Sequence, residues 1–325
     1  MVNKVKIGKE GKEIKQALRG SFVAIVTPFE RDNVRKVDFK SLETLVEFHS
    51  RNGTAGIVPC GTTGESATLT HEEHEEVIKK TVEFVNHRTL VIAGTGSNNT
   101  AEAIRLTKSA ELAGADASLL ICPYYNKPTQ DGLYLHFKAI SEESGLPLIP
   151  YNIASRTGVN IEPETVARLA ELPTIVGIKE ASGNLDQMSR IISLCGDEFA
   201  LLSGDDSLTL PILAIGGTGV ISVVANIMPE DTARMVSAFE KGAMEEARRI
   251  HYKLLPLIKM LFIETNPTPI KTAMEMLNMC SSEVRLPLVP MKEQNKTKLA
   301  ELLKTEFVSD MELITKKINE IENKG

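Results

Sequence analysis

Lys179 stands near the end of an apolar, β-branched run, Ile175-Val176-Gly177-Ile178-Lys179-Glu180-Ala181. Charged amines are seldom buried unless they are paired or put to use. A desolvated amine gives up its proton more readily, and the neutral form can attack a carbonyl to make an imine. At its ordinary pKa of ~10.4, about one lysine in a few thousand is neutral at pH 7. Burial can enrich that form roughly a thousandfold. Glu180 follows directly and is expected to face the other side of the strand, away from the amine. The alternative is a lysine that reaches the surface where the strand exits.

Three further groups of residues have the types such chemistry needs. Gly61-Thr62-Thr63-Gly64-Glu65-Ser66 reads as a strand-to-helix loop. Its glycines allow close backbone approach, and its hydroxyls and amides suit a carboxylate or oxyanion; an ordinary tight turn reads the same way. It lacks the Gly-Lys-Ser/Thr ending of a phosphate-binding P-loop. Tyr151 and Arg156, in Tyr151-Asn152-Ile153-Ala154-Ser155-Arg156-Thr157-Gly158, pair a proton-transfer group with a planar carboxylate binder, against the alternative of a surface arginine. Asp205 and Asp206 follow another apolar run. His71-Glu72-Glu73-His74 is not the His-Glu-x-x-His of metalloproteases, and Thr70 with Glu73 has the spacing of a helix capping box. Asn99 with Glu102 has that spacing too. No metal and no nucleotide cofactor is expected.

The elements that must position these groups alternate strictly. Strands are expected at Phe22–Thr27, Gly56–Cys60, Leu90–Gly94, Ala117–Cys122, Pro147–Asn152, Ile175–Ala181, Ala200–Gly204 and Gly219–Val223. Amphipathic stretches at 71–87, 99–113, 130–144, 162–171 and 184–194 lie between them. This alternation is the pattern of a parallel α/β sheet, and eight units fit a closed (β/α)8 TIM barrel better than an open doubly wound sheet. Lys179 then falls at the C-terminal end of the sixth strand, on the barrel face where active sites are built. After the eighth strand only helical patterns follow, at Glu230–Lys241, Met244–Phe262, Pro269–Met279 and the charged stretch Lys296–Glu320. The expected organisation is an N-terminal extension over 1–20, the barrel over 21–228, and a C-terminal helical region over 229–325.

Composition narrows the setting. The chain has 325 residues, 42% hydrophobic, with a net charge of −6. It can bury a large core, and it offers neither the basic surface that nucleic acid requires nor one for an anionic membrane. Cys60, Cys122, Cys195 and Cys280 are far apart, with no Cys-x-x-Cys pair, so a reduced cytoplasmic protein is expected. No apolar stretch is long enough to span a bilayer, and the Lys-rich first twenty residues lack the apolar segment of a secretory signal.

Gly61-Thr-Thr-Gly-Glu65, Pro123-Tyr-Tyr-Asn126, Tyr151-Asn152 with Ser155-Arg-Thr-Gly158, Gly177-Ile-Lys-Glu180 and Gly204-Asp-Asp206 stand in this order. Over residues 20–300 the chain resembles the dihydrodipicolinate synthase / N-acetylneuraminate lyase family of pyruvate-dependent class I aldolases. The resemblance implies a lyase, without metal or organic cofactor, in which Lys179 forms the imine with pyruvate. It implies a proton relay of Tyr151, Thr63 and Tyr125, the last from a neighbouring subunit. Thr62 and Thr63 would bind the pyruvate carboxylate, Arg156 the carboxylate of the second substrate, and Gly204 and Ile221 would line the site. Arg156 favours the synthase branch, which condenses pyruvate with L-aspartate-4-semialdehyde to 4-hydroxy-tetrahydrodipicolinate in lysine and diaminopimelate synthesis. Another pyruvate aldolase, acting on sialic or sugar acids, and a silent lysine-binding barrel are the competing readings. The family's lysine-inhibited members have an allosteric site matching Ser66, Ala67, His71, His74, Asn98, Glu102 and Tyr124, so feedback inhibition by L-lysine is expected, as is a homotetramer built as a dimer of dimers. Two departures stand out: Ala154 where the family has proline, expected to loosen the loop carrying Arg156, and the terminal extensions.

Overall fold

A computed structural model describes residues 14–323. Eight parallel strands follow one another in sequence order around a closed barrel. They are β1 (Gly20–Ala24), β2 (Gly56–Val58), β3 (Leu90–Gly94), β4 (Ala117–Ile121), β5 (Leu148–Asn152), β6 (Gly177–Glu180), β7 (Ala200–Ser203) and β8 (Gly219–Ser222). Nearly every strand residue is buried, as befits a parallel sheet covered on both faces. Contacts cluster in two compact units, one holding Leu90–Ile221 and the other Ser21–Thr89 with Ser222–Gly325. Most of the expected N-terminal extension, residues 1–13, lies outside the described residues.

The helices between strands are α1 (Phe39–Arg51), α2 (His71–Val85), α3 (Thr100–Ala113), α4 (Gln130–Glu143), α5 (Pro163–Ala170), α6 (Leu185–Cys195) and α7 (Thr209–Ala214). Their starts are written in the sequence: Asp38, Thr70, Asn99, Thr129 and Asn184 each accept a backbone N–H of the first turn. At α2 the capping box is complete, with Thr70 and Glu73 bonding reciprocally. Glu102 does not close a second one. Asn99 N–H donates instead to Ser97 Oγ, whose hydroxyl is hydrogen-bonded to the Glu102 carboxylate.

Strand ends depart from the hydrophobic runs where the chain turns toward the barrel mouth. The first run continues to Thr27, yet β1 stops at Ala24 because Val26 N–H donates to Asn226 Oδ1 at 3.2 Å instead of to a neighbouring strand. The second stops at Val58, since Pro59 has no N–H to give and Cys60 takes a left-handed φ of 54°. The sequence reading names no helix at α1, where Leu42, Leu45, Val46 and His49 form the buried stripe.

Beyond β8 come α8 (Pro229–Glu240), α9 (Met244–Leu261), α10 (Thr268–Met276), α11 (Glu293–Glu306) and α12 (Val308–Glu322). The expected continuous stretch 296–320 is two helices, broken at Phe307, whose side chain is buried at the corner. Lys317 ties α12 to Glu230 at 2.6 Å and to Asn52 Oδ1 at 2.7 Å. Among the described residues, no helix is long and apolar enough to cross a membrane.

Candidate active site

Residues 90–221 carry Lys179. Lys179 sits in register between Tyr151 on β5 and Leu202 on β7. It is only 6% exposed, and its Nζ lies over the Tyr151 ring, 4.2 Å from the centroid. Burial lowers its pKa to about 7. Asp206, buried after β7, pushes the value back up, and the Arg156 charge pushes it down. At neutral pH about half of such an amine is unprotonated. Gly204 makes room for the side chain, because a methyl group there would lie 3.0 Å from Lys179 Cε and 2.8 Å from Ala181 Cβ.

Glu180, the next residue, is fully buried and faces away. Its carboxylate accepts from Asn152 Nδ2 at 2.6 Å, Ser182 Oγ at 2.7 Å and Gln187 Nε2 at 3.3 Å. Burial nevertheless raises its pKa. Asn152 and Gln187 both reach Asn160, so the network ties β5, β6 and the start of α6 to the loop that returns from Arg156.

Arg156 lies exposed on the one-turn helix Ala154–Thr157, closed by Gly158 in the left-handed conformation. Thr157 N–H donates to Ile153 O at 3.0 Å and Gly158 N–H to Ala154 O at 2.9 Å. Ala154 occupies the first position of this turn, where proline is equally at home, so the missing ring leaves the turn intact. Tyr125, after β4, is 88% exposed with φ 72°. Ile221 is buried on β8.

The second unit holds the hydroxyl loop. Thr62 is half-buried and Thr63 fully so. A Cβ at Gly64 would meet Cys60 N at 2.9 Å and Ile25 O at 3.2 Å, and Thr27 Oγ1 donates to Gly64 O at 2.6 Å, so the loop backbone is pressed onto the segment that follows β1. Glu65 takes φ 54° and turns its carboxylate inward, to Lys271 Nζ at 2.6 Å. Thr63 Oγ1 accepts from Asn266 Nδ2 at 2.9 Å. Neither Asn266 nor Lys271 is among the residues singled out by sequence. The available signal was the proline-flanked Thr265-Asn-Pro-Thr-Pro-Ile-Lys271.

The candidate lysine-site residues fall in two groups. In the first unit, Asn98 Nδ2 donates to Tyr124 O at 3.1 Å, and Glu102 stands one turn further along α3. In the second, Ser66 and Ala67 form a 3-10 turn, with His71 exposed and His74 buried on α2. Glu73, between the two histidines, is bound by Arg285 through both terminal guanidinium nitrogens at 2.6 and 2.7 Å. The described residues contain no group of three metal-ligating side chains.

The 4-hydroxy-tetrahydrodipicolinate synthase of Thermodesulfovibrio yellowstonii is 59% identical over 287 residues, covering 88% of this chain and 98% of that protein. The chloride-inhibited dihydrodipicolinate synthase from Acinetobacter baumannii, solved in complex with pyruvate, superposes with a TM-score of 0.86. It is 46% identical over 89% of this chain and 99% of its own. The enzyme from Cyanidioschyzon merolae, solved with lysine bound, gives 0.87 at 41% identity, covering 89% and 98%. The profile of the dihydrodipicolinate synthetase family matches residues 17–306, leaving only α12 and the extreme N-terminus outside. The chain belongs to the dihydrodipicolinate synthetase family.

Proposed function

We propose that Lys179 is the imine-forming residue of this pyruvate-dependent lyase. Its neutral Nζ adds to C2 of pyruvate, and the carbinolamine hydroxyl leaves as water with a proton delivered by Tyr151. Loss of a proton from C3 gives the enamine. Its C3 attacks the aldehyde carbon of L-aspartate-4-semialdehyde, and the new alkoxide takes up a proton. The semialdehyde amine then adds to the imine carbon, Lys179 departs as the free amine, and the ring of 4-hydroxy-tetrahydrodipicolinate closes. Thr62 and Thr63 hold the pyruvate carboxylate, Arg156 holds that of the semialdehyde, and Gly204 and Ile221 line the site. Thr63 passes protons with Tyr151 and with Tyr125 of a neighbouring subunit.

The observation that carries this reading is the buried Lys179 amine, with a pKa near 7, against the Tyr151 ring. Borohydride reduction in the presence of pyruvate, followed by peptide mass spectrometry, is expected to place the adduct on Lys179, alongside turnover of the semialdehyde. An unmodified Lys179 would overturn the proposal. An adduct without turnover would move the chain to another pyruvate aldolase.

Ser66, Ala67, His71, His74, Asn98, Glu102 and Tyr124 form an allosteric L-lysine site in this reading, supported by the lysine-bound relative. Activity unchanged by lysine through millimolar concentrations rules that out. The outward Tyr125 suits a homotetramer in which this residue completes the partner's site, checked by sedimentation of the full chain. The four free cysteines suit the cytoplasm.

A further inference from the structure

We infer that Asn152 is a positioning residue that holds Arg156 in place for the second substrate. This rests on Arg156 binding the carboxylate of the semialdehyde. A guanidinium grips a carboxylate through a rigid fork, so its worth depends on where its backbone stands. Arg156 rides on an excursion of the chain that leaves β5 after Asn152 and comes back at Ile161. An exposed excursion keeps one shape only where its two limbs are tied together at the neck.

Asn152 makes that tie. Its Oδ1 accepts the Ile161 N–H at 3.0 Å, and its Nδ2 donates to Asn160 Oδ1 at 2.8 Å and to Glu180 Oε1 at 2.6 Å. The partners fix the direction of this amide. A backbone N–H can only donate and an ionised carboxylate can only accept, so the oxygen faces Ile161 and the nitrogen faces Glu180. Asn152, Ile161 and Glu180 are all inaccessible, so water does not compete for these bonds. The returning limb is gripped from its other side as well. Gln130 on α4 donates through Nε2 to Asn160 O at 2.9 Å and accepts the Glu162 N–H on Oε1 at 3.1 Å. Asn160 Nδ2 donates in turn to Gln187 Oε1 on α6 at 2.9 Å. Both limbs are thereby set against β6 through Glu180, the residue beside Lys179. One buried asparagine thus fixes the turn that carries the carboxylate fork relative to the strand that carries the amine.

The test is a mutant cycle on the full-length enzyme, with N152A, R156Q and the double variant. N152A is expected to raise KM for the semialdehyde about 10-fold, within the roughly 100-fold that a misplacement of about 1 Å can cost. KM for pyruvate and borohydride trapping of pyruvate on Lys179 should change little, a split between the two substrates that a general loss of structure would not produce. In the R156Q background N152A should raise the semialdehyde KM no further. An R156Q enzyme with a normal semialdehyde KM removes the carboxylate reading and this inference with it. Three results leave Arg156 its role and overturn that of Asn152: an impaired R156Q beside a normal N152A, pyruvate trapping lost in N152A, or KM increases that multiply in the double variant. Should N152A not fold, N160A opens the same neck from the returning limb without altering β5. A rise in KM from N160A that persists in the R156Q background is again the overturning result.

Discussion

Lys179 and Lys271 are both buried lysines, one in each compact unit, and their surroundings suit them to opposite uses. Lys271 is wholly inaccessible and fully served: the Glu65 carboxylate lies at 2.6 Å, the Glu283 carbonyl at 2.7 Å and the Phe29 ring at 4.0 Å. Burial lowers its pKa while Glu65 opposes the shift, so the amine serves as a clamp between α10 and the loop of Thr62 and Thr63. Lys179 has an aromatic face where Lys271 has a carboxylate, and burial carries its pKa to about 7. Desolvation acts on both. The near counter-charge decides whether a buried lysine holds structure or does chemistry.

The largest expected effect breaks this comparison at its catalytic end. K179R keeps a charge on that strand but no nucleophile, since guanidinium stays protonated. Turnover is expected to fall roughly 10⁴-fold or more, with no borohydride-trapped adduct. K179M should lose activity equally at little cost in stability, since Lys179 holds no carboxylate as Lys271 holds Glu65 and Asp206 acts on it only through its charge.

K271M should do the reverse in stability. It leaves Glu65 buried without its cation, so urea unfolding is expected to show a loss of about 3–5 kcal/mol. Adding E65Q should recover part of it, which separates the stranded charge from lost packing.

Smaller effects sharpen the contrast. R156Q is expected to raise KM for the semialdehyde roughly 10- to 100-fold, the worth of a charge-assisted pair, while pyruvate trapping at Lys179 persists. Because the Arg156 charge disfavours the ammonium, its loss should also move the Lys179 pKa upward.

With the unprotonated Lys179 amine as the proposed reactant, kcat/KM of the wild type should rise with pH through about 7 and then level off. Stability follows the same group. The folded-state pKa lies below the ordinary 10.5, so between about 7 and 10.5 the unfolded chain binds more protons and stability from this residue rises with pH. K179M should flatten that part of a denaturation-against-pH curve. The smallest effect belongs to A154P, expected to raise stability by about 0.4–1 kcal/mol at unchanged kcat, because the turn already has the shape proline prefers.

Much of this was legible before any coordinates. β3 was read to the residue, and α2 and α3 nearly so, because period-two and period-3.6 apolar patterns and side-chain caps are local signals. Lys179 stood out for the same reason, as a charge within an apolar run. Two of the misreadings are non-local, while the unread α1 and the early end of β2 at Pro59 are local. β1 ends early because a side chain from residue 226 takes its N–H, and the helical stretch near the C-terminus breaks where Phe307 turns into the core. Asn266 and Lys271 went unread because nothing near them in sequence says which loop they face.

The sequence by itself determined the alternating order of the elements, the place of Lys179 at the end of the sixth strand and the cast of hydroxyls and cations available to it. Those follow from local periodicity and residue type. Only the tertiary structure decided which buried lysine found a carboxylate, which asparagine bonds the Thr63 hydroxyl and which way Glu180 turns. Burial, counter-charge and hydrogen-bond direction are properties of neighbours, and folding brings those neighbours from as much as 206 residues away.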